Sequence, residues 1–178
     1  MHTCSLDLGC GATPRNHYNA DRCVGVDLVG CRENNVIAHD LRFGDIPFGD
    51  NTFDFVTAFD FIEHISRFAW MDIEQRHVNS FIRLINDISR VLKPNGKFFH
   101  KTPCYPHQEA FMDPTHVNII TEKTIVYFAR IPLPGQFFTT DVYSFLRPLA
   151  SSYGIDTSLI LMSSKTEGFH LEQELFRY

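Results

Sequence analysis

SLDLGCGATPR, residues 5–15, is the stretch on which the fold turns. A short apolar run ends at Leu8, Asp7 lies inside it, and Gly9 and Gly11 follow at once. A strand that stops on two closely spaced glycines puts bare backbone at the carboxyl edge of a sheet, where open α/β folds hold their ligands. The next apolar run, residues 23–27, ends in Asp27, and a carboxylate at that place can accept hydrogen bonds from both hydroxyls of a ribose. Together these features point to a nucleoside derivative. A dinucleotide fits less well, because the G-x-G-x-x-G spacing wants a glycine where Pro14 stands.

Outward from this stretch, strands and helices alternate. Further strands are expected over 36–39, 53–59 and 97–102, each stopped by Gly, Asp or Pro. Several are continuously apolar, which suits parallel strands covered on both faces. Phe81, Leu84, Ile85, Ile88, Val91 and Leu92 recur at helical spacing, Asp72 and Gln75 have the form of a capping box, and Lys93-Pro94-Asn95-Gly96 reads as the stop. The alternation predicts an α/β sheet with crossover helices. From Pro103 to Pro148 the chain turns rich in proline and aromatic residues without a long periodic run, which reads as an irregular insertion with one or two short helices. A helix is expected over 143–153, then strands over 155–163 and 169–176, joined by the turn-rich SSKTEG as an antiparallel pair.

Composition narrows the function. A chain of 178 residues with 44% apolar side chains buries one good core, so residues 1–178 read as a single domain. A formal charge of −5 with scattered Lys and Arg offers no basic field for nucleic acid. No apolar stretch approaches the roughly 20 residues of a spanning helix, and the polar opening MHTCSLDLG has no signal-peptide pattern, so no membrane partner and a cytoplasmic location are expected. Five cysteines without repeated spacing fit free thiols in a reducing compartment. The nine histidines show no His-x-x-x-His pair; Cys104, His107, Asp113 and His116 come nearest to a ligand cluster, and no metal is expected.

Five segments, in order, resemble the class I, Rossmann-like S-adenosylmethionine-dependent methyltransferases, and in particular their small-molecule branch. LDLGCG is similar to that family's first motif and VGVDL to its ribose-binding acid. AHDLRFGDIPFGDNTFDFVTAFDFIEHI resembles its third and fourth strands, ISRVLKPNGKFFHKTP its helix, turn and fifth strand, and DPTHVNIITEKT a segment that often follows. The resemblance implies a doubly wound, seven-stranded, mostly parallel sheet with an antiparallel last strand and helices on both faces. It also implies S-adenosyl-L-methionine as cofactor. By match to the motifs, Asp7, Gly9 and Gly11 cradle the methionine end; Asp27 takes the ribose and Leu28 packs on adenine; Asp40 accepts from the adenine amine, with Leu41 beside it; Phe59 and Asp60 face the sulfonium. Thr13 holds the place of the family's usual third glycine. Met1 stands just before the first strand, so the site is expected to be open unless 103–148, a second copy or a partner subunit covers it.

Methyl transfer from a sulfonium is an in-line displacement in which positive charge disappears, so alignment of the acceptor matters most. A base is needed only when the acceptor must lose a proton. His64, just after the fourth strand, is the candidate, set against a purely packing role. Tyr105, His107, Phe111 and His116, with Met112 and Glu109, are candidates for the pocket of a small-molecule acceptor, and for His116 a structural role is the stronger reading. Three functions remain: methyl transfer to O or N of a small or glycan-like acceptor, a catalytically silent cofactor-binding module that supports a partner, and an aminopropyl transferase. The last ranks lowest, since only Asp60 and Glu63 stand ready for a polyamine.

Overall fold

Leu6, Leu8, Val26, Val56 and Phe98, one or two from each central strand, are buried completely or nearly so, as continuous apolar runs require when both faces of a strand are covered. The computed structural model describes residues 2–71, 75–130, 154–155 and 159–178. Its strands are β1 (Cys4–Leu8), β2 (Arg22–Asp27), β3 (Val36–Ala38), β4 (Phe53–Phe59), β5 (Ala69–Met71), β6 (Arg76–Val78), β7 (Leu92–Pro103), β8 (Ala129–Arg130), β9 (Leu159–Glu167) and β10 (His170–Arg177). Beside the helices α1 (Ser80–Val91) and α2 (Glu109–Met112) there are short 3-10 turns such as Ile62–His64 and Thr124–Tyr127.

The main sheet runs β3-β2-β1-β4-β7-β10-β9-β8. The strands from β3 to β7 pair in parallel, and β10 is antiparallel to both β7 and β9. Without the two-residue edge strand β8, this is the expected seven-stranded sheet with one antiparallel strand. The order reverses at β1, which sits between β2 and β4, so a crevice opens at the carboxyl ends of these strands.

Helix α1 buries Phe81, Leu84, Ile85, Ile88 and Val91 as its periodicity predicts, but it starts later than the proposed capping box. Gln75 sits in the β5–β6 hairpin with φ 49°, and Asp72 lies outside the described residues. Asn79 caps the helix instead, its side chain accepting from Ile82 N at 3.0 Å. The expected stop at Lys93–Gly96 is absorbed into β7, whose pairing with β4 shifts register between Phe53 and Phe55 while Asn95 adopts φ 68°. SSKTEG is likewise mostly strand; Gly168, at φ 60°, and Phe169 make the tight connection between β9 and β10. The helix expected over 143–153 lies outside the described residues, as does the insertion beyond residue 130.

Between β1 and β2 no helix forms, since residues 10–21 lack a periodic apolar run. Aromatic stacking covers the sheet there instead: His17 stacks on Phe99 and Tyr18 on Phe55, each at 4.4 Å between ring centroids. Among the described residues no helix is long and apolar enough to cross a membrane.

A cross-strand pair sets a pH dependence. His100 on β7 is opposite Gln173 on β10 and is buried, with Nε2 3.1 Å from Gln173 Oε1. Burial lowers its pKa to about 4, outweighing the Gln173 hydrogen bond. The unfolded chain, with an ordinary histidine pKa of about 6.5, therefore binds the proton first as pH falls. Stability is full above about pH 6.5 and is lost as the pH drops toward 4. Urea unfolding should show this group costing about 2 kcal/mol between pH 7 and about pH 5. His100→Phe should flatten that part of the profile; an unchanged slope in the variant excludes His100 as its source.

Candidate functional site

The site is built where β1, β2 and β4 end. Gly9 leaves β1 with φ +64° and donates its N–H to Val26 O at 2.9 Å, tying the turn to β2. A Cβ on Gly9 would fall 2.2 Å from Cδ2 of Phe61, so only glycine lets the β1 turn and the segment after β4 approach this closely. Gly11 also has φ +64°, and a Cβ there would meet nothing within 4 Å: its backbone faces open space. The Gly11 N–H donates to Asp27 Oδ2 at 2.8 Å, which fixes the loop against the end of β2.

Asp7 supports this loop from below. It is 1% exposed, and its two oxygens accept from Thr57 Oγ1 at 2.6 Å and from Arg15 N at 2.7 Å. Burial pushes its carboxyl above the usual range, against the pull of those donors. Burial also pushes the neighbouring Cys10 thiol up to about 12, so Cys10 is no nucleophile at neutral pH.

A cavity of about 680 Å³ opens above these strand ends. Gly9, Asp27, Leu28, Asp40, Leu41, Asp60 and His64 all line it, so seven residues singled out in the sequence converge on one space. Leu28 is 57% exposed beside Asp27, an apolar surface next to a carboxylate. The Arg42 guanidinium grips Asp40 at 2.7 and 2.9 Å and holds its carboxyl below the usual range. Both Asp40 oxygens therefore already accept from Arg42, which the sequence did not reveal. Asp60 has φ 49°, and its Oδ1 lies 3.2 Å from Nε2 of His170. Phe59 is turned away from the lining: the Arg15 guanidinium sits 4.8 Å over its ring, and the His17 ring packs against it at 5.6 Å.

The segment after β7 contributes differently from the sequence expectation. Pro114, Thr115 and Val117 line the cavity, whereas Tyr105, His107, Phe111 and His116 do not. Tyr105 and Phe111 meet edge to face at 6.3 Å and are each more than half exposed. The His107 amide donates to Cys104 O at 3.1 Å in a local turn. His116 packs against His64 instead, with ring centroids 4.9 Å apart. Glu63, considered in the sequence only as an acid for a polyamine, lies beside both rings, buried, with its carboxyl pushed up by that burial. The only hint of it was its place next to His64.

The residues present fit a nucleoside derivative. Asp27 keeps its second oxygen unclaimed by Gly11, Leu28 offers an apolar face, and the open backbone at Gly11 leaves room for a bulky neighbour.

Comparison with known proteins gives the family. A model described as a methyltransferase domain matches residues 3–128. No curated protein matches the sequence. Among solved structures, a SAM-dependent methyltransferase from Aquifex aeolicus is 14% identical with a TM-score of 0.57, covering 99% of this chain and 82% of its own. A Haloferax volcanii complex of the Trm112 methyltransferase activator with a methyltransferase gives 13% identity and 0.57, covering 99% and 83%. Phosphoethanolamine N-methyltransferase 1 of Haemonchus contortus gives 10% identity and 0.60, covering 99% of this chain and 39% of its own. At such identities the likeness is one of fold. The family model spans most of the chain and contains every strand end that lines the cavity, so the chain belongs to the methyltransferase-domain family, on the Rossmann-like class I fold.

Proposed function

We propose that the cavity binds S-adenosyl-L-methionine and that the chain moves its methyl group to an oxygen or nitrogen of a small-molecule or glycan-like acceptor. The observation that carries this reading is the convergence of Gly9, Asp27, Leu28 and Asp40 on one cavity in a chain of the methyltransferase family. The cofactor supplies a methyl on a sulfonium carbon that is ready for in-line attack.

The chain's own residues bind, align and exclude water. Asp27 accepts from the ribose hydroxyls through the oxygen that Gly11 leaves free, Leu28 packs on the base, and the Leu41 backbone lies beside it next to Asp40. Pro114, Thr115 and Val117 wall the acceptor side, where good alignment can supply up to roughly 7 to 11 kcal/mol of the barrier. His64 faces the same side and is the group placed to handle the acceptor's proton. All five cysteines are free, which supports a cytoplasmic setting.

The test is formation of S-adenosylhomocysteine from S-adenosylmethionine across a panel of hydroxyl and amine acceptors, followed by mass spectrometry. Acceptor-dependent product supports the enzyme. Cofactor binding without turnover over the whole panel assigns the chain to the silent, partner-supporting role instead.

A further inference from the structure

Behind the acceptor wall of the cavity, two segments distant in sequence bring Glu63, His64 and His116 together, with one ligand-type atom from each within 4.8 Å of the others. We propose that these three residues hold a single divalent first-row transition-metal ion, with its open coordination positions toward the acceptor side of the cavity. Two imidazoles and one carboxylate suit such an ion and leave positions for exogenous oxygen ligands.

Three observations carry the proposal. The first is an orphaned charge: Glu63 is 1% exposed, its Oε2 accepts from Thr102 Oγ1 at 2.7 Å, and its Oε1 is buried with no hydrogen-bond partner, 4.0 Å from Nε2 of His116. A buried carboxylate oxygen aimed at a histidine and left unsatisfied is costly unless a cation fills the gap.

The second is the tautomer of His64. Thr115 Oγ1 donates its proton to Asp113 Oδ1 at 2.6 Å, so toward His64 it can only accept. Nδ1 of His64 lies 3.0 Å from that hydroxyl and 3.2 Å from the Thr115 carbonyl, another acceptor. Nδ1 therefore carries the proton and Nε2 keeps a lone pair free to ligate, the arrangement by which backbone carbonyls orient metal-binding histidines.

The third is that the frame is already locked. Val117 N and Asn118 N both donate to the Glu63 carbonyl, at 3.0 and 2.9 Å, and Arg67 ties the same loop through Asn118 Oδ1 at 2.8 Å and Ile119 O at 3.0 Å. Ligands about 2.1 Å from a common ion lie about 3 to 4 Å from one another, so atoms up to 4.8 Å apart have to draw together by about 1 to 2 Å, within the reach of side-chain rotation on this frame. Asp113 Oδ2, 4.0 Å from His116 Nε2, adds negative charge on the open side.

His64 also lines the cavity, so the ion meets whatever the acceptor presents there. Resting on the methyl-transfer reading, this narrows the acceptor to a hydroxyl compound. Its oxygen coordinates the ion and releases its proton to solvent. The O–CH3 bond then forms as the S–CH3 bond breaks, leaving a neutral thioether. His64 thus acts on the acceptor's proton through the ion rather than as a free base.

The test uses the full chain, stripped with chelator, dialysed, and titrated with cobalt(II) chloride while visible absorption and heat are recorded. One ion per chain is expected, with ligand-field bands of a nitrogen and oxygen site. Glu63→Gln and His116→Ala should each weaken uptake by more than about 100-fold. His107→Ala should leave it intact. Circular dichroism checks folding, and His64→Ala, at a half-buried position, gives the same readout if either first variant fails to fold. No uptake by the folded wild-type chain overturns the proposal. Uptake unchanged in the folded variants overturns it too, by placing the ion elsewhere. S-adenosylhomocysteine binding measured in the presence of chelator separates the two readings: binding without cobalt uptake rejects the metal alone, and uptake without binding rejects the cofactor reading alone.

Discussion

Asp27→Ala is expected to weaken S-adenosylmethionine and S-adenosylhomocysteine binding by about 3 kcal/mol, somewhat over a hundredfold, because each hydrogen bond to a charged group contributes about 1.5 to 3 kcal/mol. The carboxylate does two things at once. One oxygen accepts from Gly11 N at 2.8 Å and holds the glycine loop, while the other faces the cavity beside Leu28. Alanine removes the ribose acceptor and releases the loop together. The Asp27→Asn variant keeps an acceptor for Gly11 without the charge and should fall between alanine and wild type. Calorimetric titration checks both, and an unchanged dissociation constant in a folded alanine variant removes Asp27 from the site.

Asp87→Ala should cost about 2 to 3 kcal/mol of stability, because it orphans a buried amide that now donates to a carboxylate. Asp87, on the buried side of α1, accepts from the Ile46 amide and from Arg90 Nε. Arg90 in turn donates to Phe48 O at 2.8 Å, Asp50 Oδ1 at 2.9 Å and Ile46 O at 3.1 Å. Asp87 and Arg90 together thus tie the 46–50 loop to the helix, and loss of the carboxylate strands the buried Ile46 amide. Urea unfolding should show a lower midpoint at unchanged slope. Asp87→Asn, which keeps an acceptor for the Ile46 amide, should lose less than the alanine variant. A loss below about 1 kcal/mol contradicts this account of the loop.

The central strands were legible because burial on both faces leaves a continuous apolar run that no turn or exposed helix shares. β4 coincides with the residues expected, β1 ends at Leu8 as expected, and β2 and β3 differ by one residue at one end. The helix face was equally plain, but its start was not: Asp72 and Asn79 are both competent caps, and the β5–β6 hairpin decided between them. The crossover between β1 and β2 misled, because aromatic stacking by His17 and Tyr18 does the covering that a helix was expected to do.

The site divides the same way. Asp27 and Asp60, each fixed by a strand end, both line the cavity. Asp7 shares the motif but points into the core, since side chains alternate along β1 and its partners are Thr57 and Arg15. Aromatic content suggested Tyr105 and Phe111 for the acceptor pocket, yet composition says nothing about which way a loop turns, and both rings pair with each other near the surface. The Glu63–His64–His116 cluster was invisible because its spacing is created by backbone bonds between segments far apart, Val117 and Asn118 onto Glu63.

The measurement that tests the central claim most directly is titration calorimetry of the purified chain with S-adenosylmethionine and S-adenosylhomocysteine, with NAD as the control. The account predicts micromolar binding of the first two, one per chain, and none of NAD. Binding of NAD in their place, or of none of the three by a folded chain, contradicts it.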